Sequence, residues 1–164
     1  MRTSEARLIA FGGMMAALAV VVMCLGGLIP VATFTVPVIC MLILAYVLKF
    51  CGNRIGWAWY GAVSILGLLL GPDKEAAAIF LFLGYYPILK PGLDRMKLGI
   101  VLKALLYNVM ILLMYGTLIY LLGLQYIAQE YNELGRIMTI FMLAGGNAVF
   151  FLLDKVLCRF NKIK

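Results

Sequence analysis

Six apolar stretches, at 8–29, 34–51, 55–71, 74–93, 98–122 and 137–157, take up most of the chain. Each is close to the roughly 20 residues a helix needs to cross a bilayer. Between them stand Pro30, Cys51-Gly52-Asn53-Arg54, Gly71-Pro72-Asp73, Pro91-Gly92 through Lys97, and Gln125 through Arg136. Glycine, proline and charge are what connections are made of. With 65% of its 164 residues apolar and 13% charged, and a mean hydropathy of +1.06, the chain lacks the polar surface a soluble domain requires. The expected fold is an all-α membrane protein, a single integral domain over 1–164 built as a bundle of six transmembrane helices.

Orientation follows from the basic residues, which collect on the cytoplasmic side of membranes. With the N-terminus inside and six crossings, all fourteen lysines and arginines except Lys74 and Arg136 fall on the cytoplasmic side. One helix more or fewer would destroy that asymmetry, so it supports the count as well as the orientation. Both termini are expected in the cytoplasm. The net charge of +7 then reflects topology and attraction to anionic lipid, with no soluble basic surface for nucleic acid. The N-terminal run from Leu8 to Ile29 is longer than a signal-peptide core, no A-x-A-like site follows, and Met23 is too large for a lipoprotein cleavage site before Cys24. It is expected to remain as the first helix.

Chemistry is thinly represented. The chain has no histidine, which removes the commonest general base and metal ligand together. Cys24, Cys40, Cys51 and Cys158 show no C-x-x-C or zinc spacing, and Glu130-x-x-Glu133 is a half-site at best. G-x-S-x-G, a glycine-rich phosphate loop and H-E-x-x-H are all missing. No catalytic residue, metal or cofactor is expected, and the protein reads as a non-enzyme.

Four features remain. Ala6, Ala10, Gly13 and Ala17 recur at spacings that put them on one face of the first helix. Small residues admit another helix closely, so this stripe serves either the protein's own bundle or a second membrane subunit. Asn108 and Asn147 lie near mid-depth of the fifth and sixth helices, with Ser64 midway along the third. An amide in hydrocarbon needs a partner, so the two asparagines either bond to each other or floor a small-molecule pocket. In the turn Gly71-Pro72-Asp73-Lys74-Glu75, Asp73 suits an N-cap and Glu75 the first turn of the fourth helix. Lys74 is left to hold a carboxylate or phosphate. Finally, Pro87 in Gly84-Tyr85-Tyr86-Pro87 should kink or end the fourth helix, and Trp57, Trp59 and Tyr60 suit a membrane interface.

In layout, the chain resembles an S component of an energy-coupling factor (ECF) transporter, the small membrane subunit that captures a vitamin or similar micronutrient. Two local strings carry the resemblance. Ala6-x-x-x-Ala10 with Gly13-x-x-x-Ala17 is similar to the alanine motif by which the family's first helix packs on its partner. Ile29-Pro30-Val31 through Thr35-Val36-Pro37 is similar to the loop that covers the substrate. The resemblance implies a prokaryotic plasma-membrane protein that binds a small molecule from outside. It also implies docking on a T component driven by two ATPases, with release of the substrate inside. Geometry nominates Asn108, Asn147, Lys74 and Glu75, with Thr33 or Thr35, as the binding set. The competing readings are a scaffold subunit of a cell-envelope complex, whose polar layer would be packed shut, and a small lipid-modifying enzyme.

Overall fold

The computed structural model describes residues 2–29, 32–96, 99–120 and 144–159, which are helical but for short turns and include no strand. The elements are α1 (Arg2–Gly26), α2 (Thr35–Leu70), α3 (Lys74–Leu83), α4 (Tyr86–Leu93), α5 (Gly99–Tyr120) and α6 (144–159). Four helical stretches, Glu5–Gly26, Thr35–Leu70, Lys74–Leu93 and Gly99–Thr117, are long and apolar enough to cross a membrane. The chain divides into two compact units, Met1–Asp94 and Arg95–Lys164.

The first unit turns on Gly52. An unbroken helix of 36 residues would be about 54 Å long, far beyond a ~30 Å hydrocarbon core. At Gly52 the backbone leaves helical space, with φ 81° and ψ 177°. This is the region that only glycine enters readily. The consequence appears in the contacts of the two arms, 35–51 and 53–70. Gly56 lies against Leu48 and Leu44, which a straight helix would hold two and three turns away. Cys51 Sγ donates to Leu8 O (3.5 Å) and Cys40 Sγ to Ala19 O (3.7 Å), so the first arm runs antiparallel to α1. Gly12 meets Ile55 and Gly67 meets Met23, so the second arm runs parallel to α1. The arms are therefore antiparallel to each other, and α2 is a helical hairpin.

Close approach explains the glycines at these seams. Lipid tails are as apolar as leucine, so helices in a bilayer associate through packing rather than the hydrophobic effect. Gly26 leaves no room for a side chain beside Val36, nor Gly56 beside Leu48. Phe11, Tyr46 and Phe50 cluster between α1 and the first arm, with ring centroids 4.6–6.2 Å apart. On the outer side, Ile9, Met14, Leu18, Val21 and Leu25 of α1 are exposed, as a helix that is apolar all round presents to lipid.

The second arm also packs on α3 through Trp59, Tyr60 and Phe80, and Tyr60 donates from its hydroxyl to Leu81 O. Trp59 is only 3% exposed, so it serves the core and not an interfacial belt; Trp57 is exposed. Fourth-stretch residues 74–93 form two helices instead of one. α3 ends at Gly84, and Pro87 takes the second position of α4, where its missing N–H is no loss.

In the second unit, α5 and α6 pack antiparallel. Tyr107 stacks on Phe150 (5.0 Å, 32°) and its hydroxyl lies over Gly146, while Met114, Leu153 and Leu157 are buried. The sixth stretch was expected at 137–157; its first seven positions lie outside the described residues.

Candidate functional site

The turn between α2 and α3 is built by its own side chains. Asp73 caps α3, accepting from the backbone N–H groups of Glu75 (3.0 Å) and Ala76 (3.1 Å) on Oδ1. Its other oxygen, Oδ2, accepts from the Thr33 hydroxyl at 2.7 Å, which ties the segment before α2 to the start of α3. Lys74 reaches back to the end of the second arm, donating to Leu68 O (2.8 Å) and Gly71 O (3.0 Å). These are the carbonyls that a helix C-terminus leaves without partners, and a cation there is favoured by the dipole. Of the residues nominated for a ligand, Thr33 and Lys74 therefore hold the turn together. Glu75 is half-buried in the first turn of α3, and Thr35 is exposed at the start of α2.

Asn108 and Asn147 meet across α5 and α6, but at the surface and not in the interior: Asn108 is exposed and Asn147 half-buried. Each amide nitrogen donates to the other's carbonyl oxygen at 3.2 Å, and Asn108 Nδ2 also donates to Ala104 O at 2.8 Å. Ser64, which shared the expected polar layer, is buried in the first unit, as Lys74 and Glu75 also belong to that unit.

About one and a half turns along the same helix pair is an interaction that sequence reasoning missed. Lys103 Nζ contacts both carboxylate oxygens of Asp154, at 3.0 and 3.2 Å, and Lys103 is 5% exposed. The sequence places Lys103 on the cytoplasmic side with the other basic residues and gives it no partner across the bundle. Their offsets from the asparagines on antiparallel helices were the available signal. Lys103–Asp154, Tyr107–Phe150 and Asn108–Asn147 form one polar and aromatic ladder down the α5–α6 seam.

The small-residue face stands apart from these. Ala6, Ala10, Gly13 and Ala17 are all exposed, and a side chain added at Gly13 would meet nothing within 4 Å. Beside it a groove of about 700 Å³ opens between α1 and the second arm of α2. Gly12, Gly13 and Ala16 form one wall and Ala58 and Ala62 the other, with Trp59 also in the lining. Glu5 and Arg54 line it at the end nearest the Gly52 turn. None of the six residues nominated for substrate lines this groove. Among the described residues no cluster of three metal-ligating side chains occurs, and Glu130 and Glu133 lie outside them.

No known protein family, characterised relative or solved structure matches the chain.

Proposed function

We propose that the protein is a multi-pass membrane subunit that works by docking on a second membrane protein through the small-residue face of α1. The observation that carries this is the exposure of Ala6, Ala10, Gly13 and Ala17 together. A stripe of this kind costs a membrane helix side-chain packing unless something packs on it, and the described helices of its own unit leave it exposed. In the form suggested by the resemblance, the partner is the T component of an ECF transporter with its ATPases, and this chain captures a vitamin-like micronutrient at the plasma membrane of a prokaryote. The Ala10→Leu and Gly13→Leu variants should abolish co-purification with a T component. The open space at Gly13 means that leucine fits without disturbing the fold. Association that survives both bulky substitutions would refute the docking face.

The asparagine pair favours the alternative, a non-transport scaffold of a cell-envelope complex. Two amides that satisfy each other make an interhelical bond of about 1 kcal/mol and have less capacity left for a ligand. A binding assay against a panel of vitamins separates the two forms, since the scaffold binds none.

Six crossings with both termini cytoplasmic belong to the same proposal. Support comes from the hairpin at Gly52, which divides the longest helix into two arms, and from the basic residues flanking them. Reporter fusions after Lys164 and within 50–55 should score cytoplasmic, and fusions within 125–135 external. An external C-terminus would break the six-helix count.

A further inference from the structure

We propose that the groove between α1 and the second arm of α2 is a seat for an aminophospholipid, with phosphatidylethanolamine as the preferred occupant. A groove in a bilayer is filled by whatever packs into it best. Here glycine and alanine on both walls, with Leu8, Ile9 and Ile55 beside them, line a concave apolar channel. An acyl chain matches such a surface by dispersion contact along its length. The volume is within the range of small-molecule sites.

The headgroup is chosen by charge. Glu5 and Arg54 line the same end of the groove, yet no ion pair joins them, and neither has another partner among the described residues. One unpaired acid and one unpaired base beside an apolar channel complement a zwitterion. The phosphate would accept from the Arg54 guanidinium, which suits it geometrically. The ammonium of ethanolamine would donate to the Glu5 carboxylate. Phosphatidylglycerol satisfies Arg54 but sets its negative charge beside Glu5. Phosphatidylcholine carries both charges, but its quaternary ammonium has no N–H to donate. A partner helix in the groove would fill it with apolar side chains and leave both charges as they are.

The seat is distinct from the docking face. At 3.6 residues per turn, Ala6, Ala10 and Ala17 point about a third of a turn away from Glu5, Gly12 and Ala16, with Gly13 between the two sets. Only the choice of leaflet, the cytoplasmic one, rests on the topology proposed above.

The test is lipid retention by the full-length protein, purified from nanodiscs of equimolar phosphatidylethanolamine, phosphatidylglycerol and phosphatidylcholine and read by native mass spectrometry. Phosphatidylethanolamine should be enriched about five-fold over either competitor, the factor that corresponds to roughly 1 kcal/mol for one headgroup charge. Glu5→Gln should erase the preference over phosphatidylglycerol, and Arg54→Gln should lower retention of both. The swap Glu5→Arg with Arg54→Glu should keep the preference for phosphatidylethanolamine, since a zwitterion can be bound in the reverse sense. Ala58→Phe, which fills the channel, should release the lipid while leaving the melting temperature unchanged. Equal or better retention of phosphatidylglycerol by the unaltered protein would overturn the proposal. So would full retention by Ala58→Phe, or loss of a protein partner in that variant with the lipid still bound.

Discussion

Replacing Lys103 with methionine should cost about 3–5 kcal/mol of stability, and replacing Asp154 with leucine in the same chain should return most of it. The ammonium and both carboxylate oxygens lie within 3.2 Å of each other on helices that face one another across a buried seam. Removing one partner leaves the other as an uncompensated charge in an apolar setting, which is the costly event. Removing both leaves methionine against leucine, which packs. The single losses should be unequal. A lone Lys103, four residues from the start of α5, can run its stem toward the headgroups, whereas the short side chain of Asp154 cannot. The Asp154→Leu variant should therefore lose less than Lys103→Met. Thermal unfolding in detergent of the two single variants and the double variant gives the coupling directly. A double variant as unstable as the worse single one would show that the pair's geometry, and not its charge, holds the seam.

The ladder also shows where the sequence was readable. Apolar stretches bounded by glycine, proline and charge marked out the helices because that pattern is local: each stretch needs only its own length to declare itself. The Asp73 cap and the break before Pro87 were readable for the same reason, as was the match in depth of Asn108 and Asn147. Lys103 and Asp154 were not, because a charge near a helix end reads as interfacial until its neighbour across the seam is known. Lys74 read as a ligand group for a similar reason: the carbonyls it bonds belong to a helix end whose direction the turn itself sets. Trp59 looked interfacial because aromatic residues cluster at membrane boundaries, and only the packing of α3 on the second arm buries it. The groove was wholly illegible. It is made by Gly12 and Ala16 facing Ala58 and Ala62, residues far apart in sequence, and it depends on α1 and the second arm running parallel.

That parallel course depends in turn on one backbone torsion, and Gly52→Ala should show it. A residue held at φ 81° and ψ 177° with a Cβ is strained by about 1–3 kcal/mol. Nothing lies within 4 Å of where that Cβ would be, so the loss would be conformational with no steric part. Gly61→Ala is the matched control: Gly61 also faces open space but sits at helical φ and ψ in the second arm. There alanine should be neutral or stabilising by up to about 1 kcal/mol, since it restricts the unfolded chain and favours helix. The two substitutions add the same methyl group nine positions apart, and only the one at Gly52 should cost stability. The strained chain can relieve itself by continuing the helix through position 52, but the ~54 Å rod that results cannot be matched to a bilayer. Relief would have to come at the cost of the contacts that Leu44 and Leu48 make with Gly56. Failure of cysteines placed at 48 and 56 to form a disulfide would report that opening. Equal stability of Gly52→Ala and Gly61→Ala, with the crosslink intact in both, would mean that the hairpin is held by packing of its arms and owes nothing to the glycine at its tip.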